Sequence, residues 1–181
     1  MLVNCVVYKE GRKVADIEKR QISDYLKQPG VFVWVAMKDP SDEEVLEMQE
    51  EFDLHELAAE DARHGHQRPK IEEYGSGLFV VLNTIELTAT DELKVGEVDI
   101  FVGPNYILSI RHRTERGFQD VRTRAEREPE LLRHGSGFVL YALMDTIVDR
   151  YFPVLDAIEA DLEHAEDQLF AGGGSPRANV E

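Results

Sequence analysis

The sequence has a single cysteine, Cys5, in 181 residues. It can form no internal disulfide, and the apolar run LVNCVVY around it reads as a strand with a buried thiol. Long hydrophobic runs are missing too. The longest, FVLYALM at 138–144, falls far short of the roughly 20 residues a membrane-spanning helix needs. The start, MLVNCVVYKEGRK, turns charged after eight residues, so no secretory signal is expected. Basic charge is scarce: 20 Lys and Arg stand against 36 Asp and Glu, a net charge of −16. Such a surface repels phosphate backbones, which excludes nucleic acid as a partner and makes cations the natural counterpart. A Gly-rich phosphate loop, a nucleophile–base pair and a clustered ligand set are all absent, so no catalysis is expected. With 43% hydrophobic and 31% charged residues, the chain has enough apolar material for one globular domain with a sizeable core.

MLVNCVVY and KVADI read as two strands around the turn KEGR. ISDYLKQPG is a short helical turn closed by Pro29–Gly30. VFVWVAMK at 31–38 has almost no polar face, which predicts a strand buried on both sides. DPSDEEVLEMQEEF opens with Ser41 as N-cap and Glu44 three residues on, a capping box. A second short helix, LHELAAEDA, follows. KIEEY and GLFVVLNTIEL read as strands. VGEVDIFV and YILSIRH flank the tight turn GPN and make an antiparallel hairpin. TERGFQDVRTRAERE reads as a polar, solvated helix whose arginines are interleaved with acids. Helices early and late around a block of strands give an α/β layered domain, a mixed β-sheet between helical layers.

From about Gly137 to Ala171 one long helix is expected, roughly 50 Å in length. Tyr141, Met144, Val148, Tyr151, Leu155, Ile158, Leu162, Ala165 and Leu169 alternate at spacings of 3 and 4, a heptad seam. A compact domain of this size has a radius of gyration of only about 16 Å. The C-terminal part should therefore project and pack on another helix, in a helical hairpin with a continuation of the chain or at a subunit interface. The other faces are acidic. From 145 to 170 eight carboxylates stand against Arg150 alone. A solvated face and a surface whose repulsion is relieved by divalent cations are both compatible with that. The end, AGGGSPRANVE, breaks the helix and offers Ser175–Pro176 as the cap and first turn of another. The sequence reads as a piece of a longer protein.

EDARHGHQRPKIEEY at 60–74 concentrates chemistry-bearing residues: Glu60, Asp61, His64 and His66, with His55 just upstream. His64-x-His66 invites a zinc reading, but the two would point apart on a helix, and Gly65 between them suggests the helix has ended. Loop and capping roles suit these histidines better. Glu60–Asp61 at a helix end are ordinarily surface acids, and composition alone leaves open whether they are ligands.

The segment HELAAEDARHGHQRPKIEEY closely resembles the H-P-L-x-x-E-D-x-x-x-x-H-Q-R-P-K signature of the CorA-type magnesium/cobalt transporters. VFVWVAM resembles that family's Trp-bearing strand, and GLFVVLNTI and VDIFVGPNYILSIR its central strands. FVLYALMDTIVDRYFPVLDAIEADLEHAEDQLF resembles the start of its long cytoplasmic helix. The resemblance runs over nearly the whole chain from about residue 31. It departs at one point: the family's His-Pro is His55–Glu56 here, which adds an acid and leaves the backbone less constrained.

The resemblance implies the soluble cytoplasmic, ion-sensing domain of a homopentameric divalent-cation (Mg²⁺/Co²⁺) channel, at the inner face of the cell membrane. It implies 1–136 as an α/β/α domain, 137–171 as a long helix beginning a stalk, and 172–181 as a loop into a further helix. Pore helices and a Gly-Met-Asn selectivity loop would lie beyond this chain. Carried over residue by residue, the regulatory Mg²⁺ ligands are Glu60, Asp61 and Asp145, completed by a carboxylate of the neighbouring identical subunit. Oxygen ligands suit Mg²⁺, which keeps most of its waters and needs one or two carboxylates. A zinc-transporting relative with the same soluble fold is the alternative, and a free-standing metal-dependent enzyme is a reading of another class.

Overall fold

A computed structural model describes residues 1–88, 90 and 92–171. Seven strands form one mixed sheet: β1 (Leu2–Lys9), β2 (Arg12–Asp16), β3 (Val31–Lys38), β4 (Lys70–Tyr74), β5 (Gly77–Leu87), β6 (Leu93–Val102) and β7 (Tyr106–His112). Their spatial order is β2-β1-β3-β7-β6-β5-β4. Every neighbouring pair is antiparallel except β3 and β7, which run parallel with Trp34 opposite Ile107. The helices are α1 (Ile22–Leu26), α2 (Asp42–Phe52), α3 (Glu56–His64), α4 (Gln119–Glu126), α5 (Pro129–Leu132), α6 (Ser136–Asp149) and α7 (Phe152–Ala171).

The strand period sorts side chains into two cores. Val33, Val35 and Met37 of β3 face α1, α2 and α3, where Ile22, Val45, Met48, Ala58 and Ala62 pack. Phe32 and Trp34 face the opposite layer, with Val121, Ala125, Leu132, Val139 and Leu143 of α4, α5 and α6. β3 lies inside the sheet under both layers, so its run of apolar residues has no face for solvent. The expected architecture, a mixed sheet between helical layers, is the one observed.

Local signals read from the sequence hold in detail. The Ser41 hydroxyl accepts from Glu44 N at 3.2 Å, and the Glu44 carboxylate accepts from Ser41 N at 3.1 Å. The GPN turn closes β6 on β7, and Asn105 Nδ2 donates to Leu26 O at 2.8 Å, tying the turn to α1. The polar helix is shorter than expected. Residues 114–118 precede it as an irregular segment, where the buried Thr114 hydroxyl donates to Arg116 O at 3.0 Å.

The C-terminal helical arm runs from Ser136 to Ala171 but is interrupted at Arg150–Tyr151. Pro153 explains the break. It has no N–H to donate, and its ring would collide with the carbonyl four residues back, so the helix restarts with proline in its first turn. The first segment is built into the body: Val139, Ala142, Leu143 and Ile147 are buried. The second touches the body near its start, where Val154 is its one buried residue among those described. On α7 the heptad seam is mostly bare: Leu155, Ile158, Leu162 and Leu169 are each half-exposed or more, whereas Ala165, and Met144 and Tyr151 before it, are partly buried, Tyr151 against the body. The expected loop at 172–181 lies outside the described residues.

Candidate functional site

Helix α3 starts at Glu56, where His55 acts as N-cap: its Nδ1 accepts from Leu57 N at 3.3 Å. The His55 ring also stacks on Tyr74, centroids 4.2 Å apart. Glu56 fills the first helical position, where a proline would be preorganised and where a carboxylate favours the positive end of the helix dipole. His64 Nδ1 donates to Glu60 O at 2.9 Å and closes the helix. His66 lies beyond it in left-handed backbone, its Nε2 at 2.6 Å from Arg113 Nη1. The three histidines cap, stack and pin loops, as their spacing suggested.

Ala58 and Ala62 face the sheet, and their small side chains let α3 sit close to it. Glu60 is on the outer side of the helix, exposed, beside Leu46, Gln49 and Arg63. Asp61 is on the flank, partly buried, and its Oδ2 accepts from Lys70 Nζ at 2.6 Å. Lys70 also reaches Glu72 Oε2 at 2.8 Å, and its ammonium lies 5.5 Å from the Phe79 ring centroid. These two carboxylates hold the Lys70 ammonium protonated well above the usual lysine range, against the opposing effect of burial.

Asp145 is on α6, across the sheet from α3. Its Oδ2 accepts from Arg124 Nη2 of α4 at 3.1 Å. The structure thus brings Glu60 and Asp61 together as neighbours on one helix and leaves Asp145 in the opposite layer. Among the described residues, no three His, Cys, Asp or Glu side chains converge on a point that could hold a metal. The donors on offer at Glu60, Asp61 and Asp145 are carboxylate oxygens, which fit a hard cation that retains its waters. They do not complete a site within one chain.

Sequence reasoning missed a second acidic group directly beneath α3. Glu97 and Asp99 alternate with Phe101 on the α3 side of β6, and both are buried. Glu97 Oε2 accepts from Gln67 N at 2.8 Å, whereas Glu97 Oε1 and both Asp99 oxygens have no hydrogen-bond donor among the described residues. His112 of β7 donates through Nε2 to Ala62 O at 3.1 Å, and that nitrogen lies 3.6 Å from Asp99 Oδ2. Burial pushes the Asp99 carboxyl up to about 8, helped by the charges of Glu97 and Asp61 and opposed by Lys70. The signal was available: in VGEVDIFV, two acids fall in the register that a core-facing Phe101 also occupies.

The described residues thus present a mixed sheet between helical layers, an acidic α3 paired with Lys70 of β4, and a helical arm that leaves the body after Val154. Residues 29–178 match the family described as CorA-like Mg2+ transporter protein, and the chain belongs to that family. It is 33% identical over 143 residues to the putative metal ion transporter YfjQ of Bacillus subtilis, covering 78% of this chain and 44% of the relative. It is 29% identical over 120 residues to the cobalt/magnesium transport protein CorA of Thermotoga maritima, covering 65% and 34%. The chain therefore spans less than half the length of these relatives. Its fold is similar to that of the full-length CmaX protein (TM-score 0.77, 20% identity, 98% of this chain and 54% of that one). It is also similar to the soluble domain of CorA from Methanocaldococcus jannaschii (0.66, 20%, 95% and 67%). The ZntB cytoplasmic domain from Vibrio parahaemolyticus shares the fold too (0.65, 12%, 90% and 64%).

Proposed function

We propose that this chain is the cytoplasmic, ion-sensing domain of a CorA-type channel that carries Mg²⁺ or Co²⁺, assembled as a homopentamer and joined to the membrane by a segment following this one. It senses the ion and does no catalysis. In this reading Glu60, Asp61 and Asp145 contribute carboxylates to weak regulatory Mg²⁺ sites, which the neighbouring subunit completes. The observation that carries the proposal is the arm: an acidic helix whose apolar residues Leu155, Ile158, Leu162 and Leu169 are each half-exposed or more within the chain. Such a seam belongs against other helices. Bringing several −16 subunits together then calls for cations between their carboxylates.

The energetic logic is linkage. An ion that binds the closed assembly better than the open one closes the channel by that difference in affinity and no more. Removing one carboxylate shrinks the difference. In the full-length transporter, Asp61→Ala or Asp145→Ala should therefore keep the channel open at internal Mg²⁺ levels that close the wild type. Selectivity should be unchanged, because the pore is untouched. Ion flux measured against internal Mg²⁺ decides: unaltered inhibition in both variants would make these acids ordinary surface residues. The similarity of fold to the ZntB domain supports a second reading, a zinc-transporting relative. Flux of Zn²⁺ against Mg²⁺ through the full-length protein separates the two.

A further inference from the structure

Resting on the assignment of Asp61 as a ligand, we infer that Lys70 is the resident occupant of that carboxylate, a built-in counter-ion that an incoming divalent cation must displace. Lys70 thereby sets the concentration at which the site fills. Its Nζ lies 2.6 Å from Asp61 Oδ2. A cation bonded to the same oxygen at roughly 2.1 Å, on the lone pair that Lys70 leaves free, would stand about 4 Å from the ammonium, where like charges repel. That repulsion favours one occupant of the carboxylate over both.

Glu72 makes the exchange feasible. Lys70 already touches Glu72 Oε2 at 2.8 Å, so leaving Asp61 does not strand a bare ammonium. A lysine stem is flexible and its three donors rotate freely, so the head group can shift from one carboxylate to the other. Tyr74 also donates to Glu72 Oε2, at 3.1 Å, and holds that second carboxylate in place. The chain geometry fixes the arrangement: Pro69 delivers Lys70 to the first position of β4, and Glu72 follows two residues on along the same face. Lys70 has a place at Asp61 when the ion is scarce and a place at Glu72 when it is abundant.

The test uses the whole 181-residue chain and its Lys70→Met, Lys70→Arg and Asp61→Asn variants, each checked for a native NMR spectrum. Mn²⁺ binding is followed by the electron spin resonance of the free ion. Mg²⁺ is titrated against the Lys70 Cε signal. Removing the competitor should tighten Mn²⁺ binding about three- to tenfold in Lys70→Met, the range a partly exposed ion pair supports. Lys70→Arg, whose fork grips a carboxylate more rigidly, should loosen it by a similar factor. The Lys70 signal of the wild type should move with Mg²⁺ and stay still in Asp61→Asn. If Asp61→Asn weakens binding while both Lys70 variants bind like the wild type, Asp61 is a ligand but Lys70 is only a structural partner. If Asp61→Asn changes nothing, Asp61 holds no cation in this chain and the inference falls, while the ligand assignment in the full-length protein is judged by the flux measurement.

Discussion

Arg124 of α4 holds Asp145 of α6 at 3.1 Å, as Lys70 of β4 holds Asp61 of α3 at 2.6 Å. Two of the three acids proposed as ligands thus have a basic partner from a neighbouring element within the chain. The Arg124–Asp145 pair is partly solvent-exposed, and pairs open to water contribute about 0–1 kcal/mol. Asp145→Ala should therefore leave the thermal midpoint of this chain within a few degrees of the wild type. A large drop would give Asp145 a structural role that its exposure does not suggest.

Asp99 should make the fold sensitive to alkali. Its carboxyl is pushed up to about 8 by burial first, and then by Glu97 and Asp61. Its stabilising proton is fully in place below the ordinary carboxylate value and is lost as pH rises through 8, because the unfolded chain binds fewer protons over that window. His112, lowered by burial, acts in the opposite sense on the acid side. Melts between pH 7 and 9 should show a falling midpoint in the wild type. In Asp99→Asn, which keeps the shape without the charge, the curve should flatten. Equal slopes in the two proteins would rule the carboxyl out as the cause.

Cys5 should be inert. Burial on the α2 side of β1, with the Glu51 charge nearby, pushes its thiol up to about 12. A thiol this far from ionisation is a poor nucleophile. A disulfide reagent at pH 8 should label it only in denaturant, and prompt labelling of the native chain would contradict the packing of β1.

Most of the sheet was legible because strand period, turn residues and caps act locally. VFVWVAMK announced a strand with two buried faces, and Ser41 with Glu44 announced the start of α2. The break at Arg150–Tyr151 was hidden by the heptad spacing, which runs on through it, although Pro153 was the local sign. Asp99 and its neighbours went unread because they acquire meaning only when α3 lies over β6, a contact between residues far apart in sequence. For the same reason the sequence placed Asp61 in a motif but could not pair it with Lys70. The motif prints both residues, and the sheet brings them together.

Gly11 illustrates a constraint that only tertiary structure shows. It turns the chain between β1 and β2 with φ of +72°, and a Cβ there would stand 1.9 Å from Pro129 O. Gly11→Ala combines left-handed backbone with a backbone clash against α5. The expected cost is about 1–3 kcal/mol, read as a lower urea midpoint. Gly75→Ala has the same sign of φ and open space around it, so it should cost less. Equal losses would show that the contact with α5 contributes nothing.

The exposed seam of α7 separates folding from assembly. Ile158 and Leu162 are 50% and 59% exposed, so replacing them with serine removes almost no packing within one chain. Leu143 is wholly buried on α6, and truncating such a residue to alanine costs about 2–5 kcal/mol. Ile158→Ser/Leu162→Ser should melt with the wild-type chain, while Leu143→Ala melts far earlier. The wild-type chain by itself should sediment at micromolar concentration and low salt as a monomer or weak dimer. Its charge of −16 opposes association, and an isolated helical arm buries too little surface to overcome that repulsion. In the full-length protein the order should reverse in kind. There the serine pair should break the oligomer, because the seam is the surface that other helices must cover. Sedimentation of both lengths, with and without the serine pair, is the measurement. A tight oligomer of this chain alone without divalent ions, or a full-length protein indifferent to the serines, would place the assembly contacts elsewhere.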